Sequence, residues 1–85
     1  MNYQLLILKK AQKELSKVTG RDYEQIKEAI FELANNPRPI GCRKLTGREG
    51  WRIRVGKNRI IYEIDDKEKA ITILHIGHRK DIYRN

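Results

Sequence analysis

The sequence predicts an α+β domain in which an antiparallel β-sheet carries an αα-hairpin on one face. Three observations support this class. Residues 50–64 alternate apolar and basic side chains with the period of two that is typical of half-buried strands. Residues 9–34 space their apolar side chains at helical intervals, and residues 70–76 form a short apolar run. The predicted order is β-α-α-β-β-β, and residues 1–85 are expected to form one domain.

The first predicted elements are a strand and two helices. Residues 3–8 are apolar and too few for a helix, which indicates a strand at the sheet centre or one buried on both faces. A helix follows over residues 9–18, and Gly20 suits the left-handed position that ends it. Asp22 is expected to cap a second helix in a capping-box pattern. That helix should end before Pro37, because the residue before a proline resists the helical conformation.

Residues 50–64 predict a β-hairpin whose register follows from burial. With Lys57-Asn58 as the two-residue loop, the large apolar side chains other than Ile61 share one face, since 55 then faces 60, 53 faces 62 and 51 faces 64. A slip of one residue in either strand would bury arginines. The second face carries Arg52, Arg54 and Arg59. Because the helices should cover the apolar face, this second face is expected to be open.

The positive charge is concentrated in one stretch of the chain. The net charge is +8, and residues 38–59 hold eight of the Lys and Arg residues but one acidic residue. A focused positive field indicates a polyanionic partner. Nucleic acid is favoured over an anionic membrane because no amphipathic basic helix is predicted. Lys44 and Arg48 are therefore candidate phosphate-binding residues beside the hairpin. The alternative is a solvated basic face without a specific partner.

Several classes of protein and site are disfavoured by composition. No apolar run approaches the ~20 residues of a transmembrane helix. Cys42 is the only cysteine, so no internal disulfide is expected and a cytoplasmic location is predicted. His75 and His78 have an HxxH spacing, but on a strand that leads into a turn the two rings need not converge. We therefore predict no metal and no cofactor, and His78 remains a candidate titratable group.

The basic residues suit one type of reaction. Attack of an RNA 2′-hydroxyl on the adjacent phosphate needs a proton acceptor, stabilisation of the charge that develops on phosphorus oxygens, and a proton for the leaving oxygen. Clustered arginines supply the charge stabilisation. Tyr83 and Arg79 would share one face of a helical turn, where nearby cations favour the phenolate.

Two motifs carry a family resemblance. The segments KLTGREGWRIRVGKNRIIYEID and ITILHIGHRKDIYR resemble the RelE branch of the RelE/ParE toxin superfamily. The resemblance implies that the chain is the toxin of a type II toxin–antitoxin pair. It implies further that this toxin cuts messenger RNA in the ribosomal A site by 2′-hydroxyl attack, without a metal. It also implies a cognate antitoxin that forms a hetero-oligomer with the toxin and masks its basic face.

The same resemblance implies residue roles. Arg52 and Arg54 would bind phosphate, and Arg59 would stabilise the transition state at the scissile phosphate. Arg79 would be a second phosphate ligand or a proton donor, and Tyr83 would stack on a base or act as general base. Some RelE proteins have lysine at the first two positions, which weakens a proton-transfer role for Arg52 and Arg54.

Other interpretations stay open at this point. The chain could be a ParE-like toxin that poisons DNA gyrase, or a non-catalytic or decayed module that binds RNA or an antitoxin. The residues also have structural alternatives: Arg59 could pair with Glu63 along its own strand, and Tyr83 could be a core residue.

Overall fold

The computed structural model describes residues 2–78, which form a five-stranded sheet and two helices. The elements are β1 (Gln4–Ile7), α1 (Lys9–Ser16), α2 (Gly20–Asn35), β2 (Arg43–Lys44), β3 (Trp51–Val55), β4 (Asn58–Asp65) and β5 (Ala70–His78). Across the sheet the strands lie in the order β1-β5-β4-β3-β2. The predicted α+β class is confirmed, and β2 adds a two-residue strand ahead of the predicted hairpin.

Strand β1 differs from its prediction in place and direction. It lies at an edge and pairs in parallel with β5, so the sheet is mixed where a purely antiparallel sheet was expected. Leu5 and Ile7 pack against the core, but Leu6 and Leu8 on the same segment are each 46% exposed. The prediction of a central or doubly buried strand is wrong because an apolar run does not reveal whether a second neighbour covers it.

The helices bury one apolar stripe against one face of the sheet. Their buried residues are Ala11, Ile26, Ile30 and Leu33, which meet Ile53, Ile60, Tyr62, Ile71, Ile73 and Ile76 of the sheet. The helices therefore cover the face that the apolar side chains of the hairpin define. In the part of the chain that the structure describes, no helix is long and apolar enough to cross a membrane.

The helix ends follow the sequence signals only in part. Gly20 has a left-handed φ of +64°, but it is the first residue of α2. Helix α1 already ends at Ser16 with Lys17 as its C-cap, so the prediction that Gly20 ends α1 is wrong. Thr19 rather than Asp22 is the N-cap residue of α2, so the predicted cap is wrong. Asp22 instead lies in the first turn, where a carboxylate interacts favourably with the positive end of the helix. Helix α2 ends at Asn35, as Pro37 predicts.

The β3–β4 hairpin has the predicted faces but a different loop. Val55 lies opposite Asn58, which makes Gly56-Lys57 the two-residue loop and the predicted Lys57-Asn58 loop wrong. Gly56 has a φ of +60°, and glycine at the first loop position is what a type II′ hairpin turn requires. The register differs by two residues from the prediction. Because side chains alternate with a period of two, every residue keeps its face.

Candidate nucleic-acid interface

The sheet face away from the helices carries two pairs of arginines directly opposite each other. Arg43 on β2 faces Arg52 on β3, and Arg54 on β3 faces Arg59 on β4. We call the surface defined by these four residues the arginine face. Like charges at directly opposed positions destabilise a strand pair. An anion bound between them relieves that repulsion, so this arrangement suits a phosphate ligand.

The arginines differ in exposure. Arg54 is exposed, Arg52 is half-buried, and Arg59 is only 4% exposed. The prediction of a fully open face is therefore wrong for Arg59. Strand β4 has neighbours on both sides, and Arg59 lies between Arg54 and Gly77, whereas β2 covers only the first part of β3. A guanidinium held in such a position suits the stabilisation of charge at a fixed point.

Two cavities lie beside the arginine face. The first cavity, of about 620 Å³, gathers the predicted residues Lys44, Arg48, Arg52 and His78 together with Glu14 and His75. The second cavity, of about 490 Å³, is lined by all four residues of the arginine face and by parts of α2 and the 39–41 loop. Arg52 lines both cavities, so it links them into one basic surface.

The loop between β2 and β3 positions the basic residues of the first cavity. The Leu45 N–H donates to the Gly50 carbonyl oxygen at 3.0 Å and closes this loop. Gly50 is buried with a φ of +124°, and a Cβ at this position would lie 3.1 Å from the Leu45 side chain. The tight closure requires glycine there, and Lys44 and Arg48 both line the first cavity.

Trp51 is occupied by cations of the protein itself. The Arg38 guanidinium lies 5.1 Å from its ring centroid and the Lys44 ammonium 5.4 Å. Arg38 also pairs with Asp66 at 2.9 Å, which holds the pKa of that carboxyl below its usual value. The Tyr3 hydroxyl donates to the same carboxylate at 2.7 Å. Trp51 is thus a structural residue that draws Lys44 to one rim of the first cavity.

Tyr62 is also structural. Its ring is fully buried, and its hydroxyl donates to the Pro37 carbonyl oxygen at 2.7 Å. Burial raises the pKa of Tyr62 above the ordinary tyrosine value, so the side chain stays neutral. The hydrogen bond fixes the end of α2 to the centre of the sheet.

Sequence reasoning located most of this basic surface but missed three of its residues. Arg79 and Tyr83 lie outside the described residues. Arg43, Glu14 and His75 were not selected. The position of Arg43, two residues after Gly41 and eight before the hairpin strand, could have indicated a short strand that pairs with the hairpin. His75 was considered only for its HxxH spacing with His78, and Glu14 gave no local signal. Among residues 2–78 no group of three His, Cys, Asp or Glu side chains has the arrangement of a metal site.

Comparisons with known proteins agree with this geometry. The sequence model of the family described as ParE toxin of type II toxin-antitoxin system, parDE, matches residues 5–83. Toxin RelG of Mycobacterium tuberculosis is 33% identical over 88 residues, with 99% of each chain covered. The archaeal RelE–RelB complex from Pyrococcus horikoshii has a TM-score of 0.82 at 30% identity, covering 93% of this chain and 97% of the other. The intact E. coli RelBE toxin–antitoxin complex has a TM-score of 0.78 at 25% identity, covering 89% and 95%.

A mixed five-stranded sheet with two helices on one face is thus the fold that this chain shares with the RelE-like type II toxins. The chain belongs to the RelE/ParE toxin superfamily of type II toxin–antitoxin systems. The resemblance drawn from two motifs is confirmed over nearly the whole chain.

Proposed function

We propose that this toxin is a ribosome-dependent endoribonuclease that cuts messenger RNA in the ribosomal A site and so inhibits translation. The observation that carries the proposal is the arginine face, with its two opposed arginine pairs at one end of the sheet. Cleavage would proceed by attack of the 2′-hydroxyl on the adjacent phosphate. Positioned guanidinium groups supply the charge stabilisation that this reaction needs.

The arginines divide the work by exposure. Arg52 and Arg54 neutralise the phosphates on either side of the cleaved bond, because they lie on the less covered strand. Arg59 stabilises the phosphorane, because its burial fixes the guanidinium and strengthens its field. We further propose that Lys44, Arg48 and His78 hold the flanking RNA.

The residues beyond the described range keep their proposed roles. Arg79 is proposed as a second phosphate ligand, and Tyr83 as a stacking residue or general base. Replacement of Tyr83 by phenylalanine separates those two roles. Stacking survives in Tyr83→Phe and proton abstraction does not, so the rate on programmed ribosomes decides between them.

We also propose a cognate antitoxin as partner. The solved structures similar to this chain include RelE–RelB complexes from Pyrococcus horikoshii and E. coli. An acidic segment laid over the arginine face would neutralise the opposed arginine pairs and exclude RNA from them. The expected assembly is a toxin–antitoxin hetero-oligomer in the cytoplasm, where its ribosomal target is found.

Induction of the toxin in a host that lacks the antitoxin tests the proposed function. Wild type should arrest growth, and mapping of messenger 5′ ends should show cuts within codons of translated reading frames. Arg59→Ala should abolish both effects, with an expected loss in rate of about 100- to 1,000-fold. Arg21→Ala, which changes an exposed arginine on α2, is the matched control and should remain toxic. Full toxicity of a folded Arg59→Ala variant would contradict the proposed role.

A second candidate function follows from the family match. The matching family is described by its ParE toxin, and a ParE-like toxin would poison DNA gyrase. Such a toxin would produce DNA breaks, with messenger ends unchanged, in the same induction experiment. The arginine pairs favour the nuclease, because a gyrase poison needs no charge stabilisation at a scissile RNA phosphate.

A further inference from the structure

A carboxylate–imidazole pair lies at the edge of the first cavity. Glu14 of α1 reaches β5, where its Oε1 accepts a hydrogen bond from the Ile76 N–H at 2.9 Å. Its Oε2 lies 3.8 Å from Nδ1 of His75. That distance is long for a hydrogen bond but short enough for a small rotation to close. Both side chains line the cavity that also contains Arg52 and His78.

An irregularity in β5 turns His75 toward this cavity. Ile61 pairs with His75, whereas the next residue, Tyr62, pairs with Ile73, which leaves Leu74 as the extra residue of a β-bulge. Bulges bend a strand and redirect side chains, and they are common beside active sites. The hydrogen bond from Ile76 to Glu14 holds the backbone on the other side of His75. The ring is therefore positioned by its own strand and by α1.

His75 shares a row of the sheet with the arginine face. Arg52 lies opposite Ile61, and Ile61 lies opposite His75. Two strand spacings separate the Cα atoms of Arg52 and His75, a distance of about 10 Å. Side chains of this length can converge on one phosphodiester across that gap. The intervening Ile61 is buried and apolar, so it does not compete for the phosphate.

The charges around His75 single out Glu14. The other charged or titratable groups that line the cavity are Lys17 of α1, Lys44 and Arg48 beside the loop, Arg52 of β3 and His78 of β5. Glu14 is the one carboxylate among the described lining residues. Among these described lining residues, Glu14 alone offers a negative charge to a protonated imidazole. With Nδ1 directed toward Glu14, Nε2 is left at the far end of the ring.

We propose that His75 is the general acid of the cleavage reaction and that Glu14 is its positioning residue, an inference that rests on the proposed endoribonuclease function. The 2′-hydroxyl gives up its proton, to Tyr83 if that residue is the general base and otherwise to water, as its oxygen bonds to phosphorus. The bond from phosphorus to the 5′-oxygen breaks with its electron pair on that oxygen. The 5′-oxygen takes the proton from Nε2 of the imidazolium. A 2′,3′-cyclic phosphate and a 5′-hydroxyl result, and His75 is left neutral until it regains a proton from solvent.

The experiment measures single-turnover cleavage by the full chain on ribosomes that carry a messenger in the A site. His75→Gln should cut about 100-fold more slowly than wild type, and its rate should lose the fall at high pH that loss of an acid causes. A messenger with sulfur in place of the 5′-bridging oxygen at the cut site has a leaving group that departs without a proton. On that messenger His75→Gln should match wild type within about twofold.

Glu14→Gln tests the positioning role without removing the acceptor for the Ile76 N–H. Its rate on the oxygen messenger should fall about 10-fold, because a displaced imidazole delivers its proton to the leaving oxygen less efficiently. The Glu14→Gln/His75→Gln double variant should be no slower than His75→Gln, because Glu14 acts through the ring. Glu24→Gln, an exposed carboxylate on α2, is the matched control and should cut at the wild-type rate.

The outcomes separate the inference from the function beneath it. Wild-type cleavage with an undiminished His75→Gln rate would overturn the general-acid assignment and leave the endoribonuclease standing. A His75→Gln defect of equal size on the sulfur messenger would do the same, because it would show that the ring is needed for something other than protonation. Absence of cleavage by wild type on both messengers would overturn the function and the inference together.

Discussion

The two faces of this sheet are built from the same strands, yet their side chains do opposite things. Toward the helices, Ile53, Ile60 and Tyr62 are buried in one apolar cluster. On the reverse side, the alternate positions of the same two strands hold Arg52, Arg54 and Arg59. The first face gains stability by leaving water, whereas the second gathers like charges that gain nothing from one another.

This difference separates stability from function within single strands. Each residue of β3 and β4 contributes to one face only, because successive side chains alternate. A substitution on the apolar face should therefore lower the free energy of unfolding. A substitution on the arginine face should instead weaken RNA binding or cleavage and leave the fold intact. Arg59 tests the limit of this rule, since it belongs to the arginine face but is nearly as buried as the core.

The largest expected effect comes from Ile73→Ala. Ile73 of β5 is fully buried between the helices and the sheet. Removal of its side chain should lower the free energy of unfolding by about 2–5 kcal/mol, as measured by urea denaturation. The control is Leu6→Ala on the neighbouring strand, where a half-exposed leucine faces the other side and about 1 kcal/mol or less is expected. Equal losses would contradict the contrast between the faces.

Tyr62→Phe should have a smaller effect on the same face. The change removes the hydrogen bond to the Pro37 carbonyl, which should lower the free energy of unfolding by about 1–2 kcal/mol. Because burial raises the pKa of Tyr62, wild type should also lose stability as the pH rises above about 10, when the unfolded chain ionises first. Tyr62→Phe should lose less there. Tyr23→Phe on α2 is the control at neutral pH and above pH of about 10. If Tyr23→Phe lowered the free energy of unfolding as much as Tyr62→Phe, the structural role of the Tyr62 hydroxyl would be refuted.

Arg54→Ala should sharpen the contrast from the other side. Arg54 is exposed, so its replacement should change the free energy of unfolding, measured by thermal denaturation, by no more than about 0.5 kcal/mol. Binding of a short single-stranded RNA, measured across a salt series, should lose roughly 0.7 from the slope of log affinity against log salt concentration. Lys67→Ala in the β4–β5 turn also removes one exposed cation, but it should leave that slope unchanged. A slope unaltered in Arg54→Ala would remove this residue from the interface.

The smallest expected effect is that of Asp66→Asn, which lies away from the arginine face. The pairing with Arg38 lowers the pKa of Asp66 in the folded protein, so its contribution to stability is present above pH of about 3.9 and is lost as the pH falls through the folded-state value. Wild type should therefore lose more thermal stability than Asp66→Asn between pH 5 and acid conditions. Glu68→Gln in the same turn should behave like wild type. Identical acid profiles for all three proteins would show that the pair contributes nothing.

The sequence allowed the composition of each face to be predicted, but not every position on it. Alternation determines which face a residue occupies, and it is unchanged when the register shifts by two. A loop at Lys57-Asn58 and one at Gly56-Lys57 bury the same side chains, so burial could not distinguish them. The conformation of Gly56 decided between them. A two-residue strand such as β2 is too short to show any periodicity, which hid the pairing of Arg43 with Arg52.

Contacts between distant segments were the harder part. The edge position of β1 depends on which strand it pairs with, and the residues of β1 alone do not determine that partner. The parallel pairing of β1 with β5 brings α1 beside the end of β5. Glu14 and His75 became neighbours only through this pairing, so no local pattern could have indicated their contact.

The parallel pairing of β1 with β5 also bears on the order in which parts of the chain fold. Ile76 and Glu14 are 62 positions apart, and β5 is the last strand of the sheet to be synthesised. Helix formation and hairpin closure need only local contacts and are fast, whereas the docking of β1 beside β5 must close the longest loop in the sheet. We therefore expect the cavity that holds Glu14 and His75 to be the last part of the toxin to form. A chain in which β1 has not yet docked beside β5 would lack the contact between Glu14 and β5 on which the proposed general acid depends.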